Sequence, residues 1–152
     1  MHTACSAIHK KVFLCIGSRI YVNKLQVNDI NVLIDYRLRG TIRAILVIFS
    51  DLLVIFSTKK KQLALDCVRI KFYDLRSNLF FESEANLLLT NWGQVHVLDG
   101  MDNFVYFLKP GKHHYLMRMK WFDIIPQRLR TKYKQTTNKR KSSSIVLRQQ
   151  LN

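Results

Sequence analysis

The residues of this sequence that are best suited to chemistry are its cations. Lys and Arg number 25 against 10 Asp and Glu, which gives a formal net charge of +15. Eight of these cations and no carboxylate follow Gln127, and removing those eight charges from +15 leaves +7 for residues 1–127. Cationic side chains bind phosphate, so this composition predicts a polyanionic partner, either nucleic acid or an anionic membrane.

Catalytic and metal-binding patterns are absent from the sequence. It contains no Walker loop and no GxSxG or HExxH motif. Cys5, Cys15 and Cys67 match no disulfide framework or CxxC metal motif, and we expect reduced, partly buried thiols. His113 and His114 are adjacent, so their side chains point apart on a helix or a strand. We therefore expect a chain that is not an enzyme and uses no metal or cofactor.

The prediction of secondary structure depends most on one stretch, AILVIFSDLLVIF, from Ala44 to Phe56. Two apolar runs flank Ser50 and Asp51, whose side chains favour turns because they bond to nearby backbone groups. The stretch therefore predicts a β-hairpin, and a single buried helix is the alternative. A membrane span needs roughly 20 apolar residues, and this stretch is shorter and has Asp51 at its centre.

Most other segments indicate short strands. They are rich in Val, Ile, Leu, Phe and Tyr and are separated by polar or Gly-containing breaks. One of them alternates so that Val32, Ile34, Tyr36 and Leu38 share a face. An N-terminal secretory signal is not expected, since the apolar run after Lys11 is only about six residues long.

The segment from Tyr115 to Ile125 fits two structures. Its apolar residues recur at helical spacing, and its first half also alternates as a strand does. Pro126 ends either element. The residues that follow are basic and polar, and we expect this tail to be mostly disordered.

A longer pattern runs through the hairpin region. About seven predicted strands precede a candidate helix that carries Trp121. The hairpin region combines an arginine, an aliphatic run that ends in Phe, Ser-Asp, two leucines and a lysine run: Arg43, Ile45–Phe49, Ser50, Asp51, Leu52, Leu53 and Lys59–Lys61. The pattern resembles a pleckstrin-homology (PH) domain of the type found in Dbl-family Rho guanine-nucleotide exchange factors.

The resemblance implies a fold and domain limits. The fold would be mainly β, a PH-like barrel of about seven antiparallel strands in two orthogonal sheets, with one C-terminal capping helix. Trp121 would pack over the barrel opening. The chain would divide into an N-terminal lead-in at residues 1–17, the PH-like domain at 18–126 and a basic tail at 127–152.

The resemblance also implies a lipid-binding site. Lipid-binding PH domains hold phosphoinositide headgroups with basic side chains on their first three loops. The corresponding residues in this sequence are Lys24, Arg37, Arg39, Arg43, Lys59, Lys60 and Lys61. Arg43 is followed by Ala44 and Ile45, so the second basic residue of tight-binding members is missing. We expect weak, charge-driven association with anionic lipid, and a cytoplasmic protein that is peripheral at the membrane.

The partners follow from the same resemblance. The chain would be a fragment or isoform of a Rho exchange factor, with a Rho-family GTPase or another signalling protein as a protein partner. Exchange activity is not expected, because the long helical Dbl-homology domain does not fit in the short N-terminal remainder. Two alternatives stay open at this point. One is a basic β-barrel that binds nucleic acid, and the other is a PH-like scaffold that binds only protein.

Overall fold

The chain folds into three antiparallel sheets, each formed from strands that are consecutive or nearly consecutive in sequence. The fold is that of a computed structural model. The residues that the structure describes are 1–27, 29–35, 41–58, 67–83, 87–88, 97–98, 104–109 and 115–133.

The twelve strands of the described residues fall into three groups. The first sheet has the order β1-β2-β3-β4, the second β5-β6-β7-β8 with β9 beside β7, and the third β10-β11-β12. Their bounds are β1 His2–Ser6, β2 Lys11–Ile16, β3 Arg19–Lys24, β4 Asp29–Asp35, β5 Thr41–Ile48, β6 Leu52–Thr58, β7 Cys67–Asp74, β8 Leu79–Glu82, β9 Leu87–Leu88, β10 Val97–Leu98, β11 Phe104–Lys109 and β12 Tyr115–Lys120.

The predicted hairpin from Ala44 to Phe56 is confirmed as β5 and β6. Ile48 pairs with Leu52 across the turn, and the Asp51 amide donates to the Ile48 carbonyl at 3.2 Å. The alternative of a single buried helix is wrong. The β-branched and aromatic residues of both runs suit a pleated surface, and Ser50 with Asp51 supplies the break.

Strand β6 of the second sheet is buried on both of its faces. Leu53 and Ile55 of β6 lie in one apolar cluster with Phe13 and Ile20 of the first sheet. Leu52, Val54 and Phe56 lie in a second cluster with Val105 of the third sheet and with residues that follow β12. Successive side chains of a strand point to opposite faces. The three sheets therefore stack in the order first, second, third.

Two short helices follow β12. The first, α1, is Trp121–Ile124, and the second, α2, covers residues 127–133. Trp121, Leu129 and Tyr133 are buried in the cluster on the third-sheet side of β6. The ambiguous segment is thus a strand up to Lys120 and a helix from Trp121.

The expected mainly-β architecture is confirmed, and its details differ from the prediction. The described strands form three sheets and close no barrel. Residues 1–17, expected as a lead-in, contain β1 and β2. The tail, expected from residue 127 onward, begins with α2, because Leu129 and Tyr133 lie four residues apart on one helical face and bury it.

Replacing Trp121 with Ala tests the packing of α1 on the second sheet. The Trp121 side chain is fully buried, so its loss should lower the free energy of unfolding by about 3–5 kcal/mol. Urea denaturation measures the change. Asp123, an exposed residue of the same helix, provides the control. Asp123→Ala should change the free energy of unfolding by less than about 0.5 kcal/mol. An equally mild effect of Trp121→Ala would contradict the assignment.

Candidate functional site

Turns of the first and second sheets meet at one end of the stack. The Ser6 hydroxyl, at the end of β1, donates to the Ser50 carbonyl in the β5–β6 turn at 2.7 Å. In the β1–β2 turn, His9 Nε2 lies 2.6 Å from Asp51 Oδ1. These two bonds hold the β1–β2 turn, residues 7–10, against the β5–β6 turn.

Asp51 joins a third turn to this pair. Its buried carboxylate lies 3.0 Å from the Arg76 guanidinium in the β7–β8 turn, and its carbonyl accepts a hydrogen bond of 2.9 Å from the Leu75 amide. A carboxylate that is shielded from water needs such donors, because an unpaired buried charge is costly. Asp51 thus fixes three turns relative to one another.

Ser6, His9 and Asp51 are the residue types of a hydrolytic triad, yet their geometry is structural. A nucleophilic serine must share its proton with the imidazole. Here the Ser6 hydroxyl donates to the Ser50 carbonyl and accepts from the His9 backbone amide at 3.4 Å. Ser6 is also buried. The three residues therefore connect turns, and they do not present an activated hydroxyl.

Asp74 anchors α2 to the same end of the stack. It accepts hydrogen bonds from the Arg76 amide, the Ser77 hydroxyl and the Lys132 ammonium at 3.2 Å. Burial raises the pKa of Asp74, and these hydrogen bonds outweigh it and leave the pKa below its usual value. The ionised carboxylate is thus the form that the fold stabilises.

Phe49 and Tyr133 reinforce that anchor. Phe49 has a backbone φ of 52° and Ser50 one of 62°, a left-handed conformation that costs a non-glycine residue about 1–3 kcal/mol. The Phe49 ring stacks on Tyr133 with centroids 5.1 Å apart.

Burial raises the pKa of Tyr133 strongly, and Asp74 and Asp51 raise it further. The phenol therefore stays neutral and serves as packing.

Beside this cluster, two turns of the first sheet form a basic surface. Lys11 pairs with Lys24 across β2 and β3, and the Leu25 amide donates to the Lys10 carbonyl at 2.9 Å. Burial lowers the pKa of Lys11, and the positive charge of Lys24 lowers it further. Within the described part of the chain, no carboxylate lies within 4.0 Å of these three ammonium groups.

The same two turns expose aliphatic side chains. Ile8 in the β1–β2 turn is 69% exposed, and Leu25 and Val27 in the β3–β4 turn are 63% and 56% exposed. We call this surface the tip, and it consists of Ile8, Lys10, Lys11, Lys24, Leu25 and Val27. Exposed aliphatic residues that are grouped in this way indicate an interaction site.

The structure separates the two predicted headgroup residues that it describes. Lys24 belongs to the tip. Arg43 lies near the start of β5, at the opposite end of the strands, where its Nε donates to Thr58 Oγ1 at 3.1 Å. Arg37, Arg39 and Lys59–Lys61 lie outside the described residues. Of these two described residues, Lys24 alone therefore belongs to this site.

Sequence reasoning missed the other five residues of the tip. Lys10 and Lys11 precede or begin an apolar run that is too short for a secretory signal, and Leu25 and Val27 lie in a segment whose Val, Ile, Leu and Tyr content is typical of a strand. The available signal was the presence of aliphatic residues in polar segments that also carry lysines.

No helix among the described residues is long and apolar enough to cross a membrane. No group of three or more His, Cys, Asp or Glu side chains in the described ranges could hold a metal ion.

Comparison with known proteins identifies no relative. The chain matches no protein-family model, no curated protein and no solved structure. The function must therefore be argued from the site itself.

The depressed pKa of Asp74 predicts how stability depends on pH. Because the folded-state pKa lies below the unfolded value of about 3.9, the carboxylate stabilises the fold above that value, and this contribution is lost as the pH falls through the folded pKa. Asp74→Asn should therefore flatten the fall in unfolding free energy between about pH 4 and strong acid. Urea denaturation at a series of pH values measures this slope.

A graded variant accompanies that measurement. Ser77→Ala removes one hydrogen bond to the Asp74 carboxylate and should flatten the slope less than Asp74→Asn does. Parallel curves for the wild type and Asp74→Asn would contradict the proposed role of the carboxylate.

Proposed function

We propose that this chain is a non-catalytic module that binds anionic, phosphoinositide-containing membranes through the tip. The observation that carries the proposal is the combination of exposed aliphatic residues with three lysines in the same two turns and the strand ends beside them. Leu25 and Val27 protrude from one turn, and Ile8 protrudes from its neighbour. Lys10 lies in the β1–β2 turn, and Lys11 and Lys24 lie at the strand ends beside the two turns. Peripheral proteins use this combination because the apolar residues enter the lipid while the cations remain at the phosphates.

The expected energies favour reversible binding. A Leu, Ile or Val side chain contributes about 1.5–3 kcal/mol when it is fully buried in an apolar medium, and partial insertion gives a fraction of that. Each lysine near an anionic surface contributes about 1 kcal/mol. Lysine is a strongly hydrated point charge without a fixed fork of donors, so the tip suits a high density of phosphate more than one precise headgroup.

The PH-domain resemblance remains a prediction beside this proposal. It implies a closed barrel, whereas the described strands form three sheets. Its assignments to a Rho exchange factor, with a GTPase partner and a headgroup site that includes Lys59–Lys61, stay predictions too. Of the functions that the resemblance implies, the tip supports membrane binding alone.

Nucleic acid is the less favoured partner for the tip. Binding of single strands relies on aromatic side chains on which bases stack. The tip carries aliphatic residues and no aromatic ring. The basic tail binds polyanions of either kind through charge, so the experiments below separate the contribution of the tip from that of the tail.

Removing the three lysines of the tip should weaken membrane binding. The variant Lys10→Ala/Lys11→Ala/Lys24→Ala loses about 3 kcal/mol of attraction, on the order of a hundredfold in affinity. Co-sedimentation of the full chain with phosphoinositide vesicles at about 150 mM salt, where long-range surface charge is screened, measures the loss.

The matched control removes three exposed cations from elsewhere on the fold. It is Arg69→Ala/Arg118→Ala/Lys120→Ala. This control should reduce binding far less than the tip variant, because it changes the net charge equally without touching the tip. An equal loss in both variants would show that net charge alone drives binding, and it would overturn the proposed site.

Replacing the protruding aliphatic residues should separate lipid from nucleic acid. Leu25→Ser/Val27→Ser keeps every charge, so it should weaken binding to the same vesicles several-fold and leave binding to a labelled single-stranded oligonucleotide unchanged. The physical reason is that only the lipid interior accepts apolar side chains. If vesicle binding stayed unchanged, the tip would not insert and the proposal would fail.

A further inference from the structure

The outer face of the third sheet carries two cations and an aromatic ring. Val105 of β11 and Met119 of β12 pair in register, and both pack into the apolar cluster beside the second sheet. Successive side chains of a strand point to opposite faces. Their neighbours Phe104, Arg118 and Lys120 therefore point away from the stack. Arg118 and Lys120 are exposed, and Phe104 is half-buried.

Arg118 lies over the ring of Phe104 on this face. The register pairs Phe104 with Lys120, so Arg118, two residues before Lys120, is a diagonal neighbour of Phe104. The central carbon of the guanidinium lies 4.8 Å from the ring centroid, a distance at which a cation is attracted to the π face. The contact holds the guanidinium in place. A guanidinium has five N–H donors with which it can bind a phosphate or the edge of a base.

Another contact between a cation and a ring shows what distinguishes this one. On the second sheet, Lys71 lies 5.7 Å from the ring centroid of Phe80, and its ammonium also lies 3.5 Å from the carboxylate of Glu82. That carboxylate offsets the charge beside the ring. Among the described residues, no carboxylate lies within 4.0 Å of Arg118 or Lys120. The positive charge of the third sheet is therefore available to an anionic ligand.

We propose that this outer face, defined by Phe104, Arg118 and Lys120, is a binding site for single-stranded nucleic acid. Unpaired bases stack on aromatic rings and on guanidinium planes, and Arg118 with Phe104 offers both at one point. Lys120, opposite Phe104 in the register, supplies positive charge for the phosphates of the same strand. The second sheet separates this face from the first sheet, which carries the tip, so the site is distinct from the proposed membrane site.

The composition of this face favours nucleic acid over the other polyanions. Membrane insertion needs protruding apolar side chains such as those of the tip. Among the side chains that the structure describes, none of the strongly exposed large apolar ones lies in the third sheet. An acidic protein would satisfy the two cations, but its carboxylates have no planar ring that could extend the stack. Only a strand of unpaired bases matches both the charge and the ring.

Two variants that preserve every charge test the proposal. Arg118→Lys keeps the cation and removes the planar guanidinium, and Phe104→Leu keeps an apolar side chain and removes the ring. Each should weaken the binding of a short labelled single strand on the order of tenfold, because stacking of a base is lost. Fluorescence anisotropy with the full chain at about 150 mM salt measures the affinity. The basic tail is unchanged in both variants, so it cannot account for the loss.

The second sheet provides matched controls. Phe80→Leu removes an exposed ring that also lies beneath a cation, one whose charge Glu82 offsets. Arg69→Lys changes an exposed strand arginine. Both should leave the affinity for the single strand unchanged.

Unlabelled competitors separate stacking from charge. RNA and DNA single strands of one sequence should both displace the label, and the tighter of the two identifies the preferred ligand. A duplex and polyglutamate, which carry charge without unpaired bases, should displace it several-fold less well.

Three outcomes would overturn the site: no binding of the single strand, equal competition by the duplex or by polyglutamate, or wild-type affinity in Arg118→Lys and Phe104→Leu. Circular dichroism checks the fold of each protein. Should Phe104→Leu fail to fold, Arg118→Lys, at an exposed position, decides the question.

Discussion

The burial of β6 on both faces is the constraint on which the other parts of the structure depend. Its neighbours β5 and β7 satisfy its backbone hydrogen bonds, so an aliphatic strand can be enclosed without unpaired polar groups. The first sheet covers Leu53 and Ile55, and the third sheet and the helices cover Leu52, Val54 and Phe56. This layering brings the turns together at one end, where Asp51 and Asp74 bind them.

The tip follows from the same layering. The β1–β2 turn is held by Ser6 and His9 against the second sheet, and it in turn holds the β3–β4 turn through Lys10 and Leu25. A charged, partly apolar surface is therefore carried by turns that are fixed at their base. Such a scaffold keeps the protruding side chains in place without a large ordering cost at the moment of binding.

Local sequence patterns predicted the strands better than the sheets. The hairpin at Ser50 and Asp51 was predictable because turn chemistry and β-branched runs are local. The grouping of strands into sheets depends on contacts between residues that are far apart in sequence. Local patterns do not show these contacts, so a closed barrel was expected where three sheets form. Val32 and Ile34 were expected on one face, and a bulge between β3 and β4 turns them to opposite faces. Lys24 was predicted for the site, but its neighbours Lys10 and Lys11 reach it only through strand pairing.

Whether the tip enters lipid is tested most directly by a polarity-sensitive fluorophore at position 25. The labelled full chain, with its native cysteines replaced, is titrated with phosphoinositide vesicles, and the same label at the exposed position 79 is the reference. The account predicts a blue shift and reduced quenching by aqueous iodide at position 25, with no change at position 79. Binding that leaves both positions equally exposed to water would contradict it.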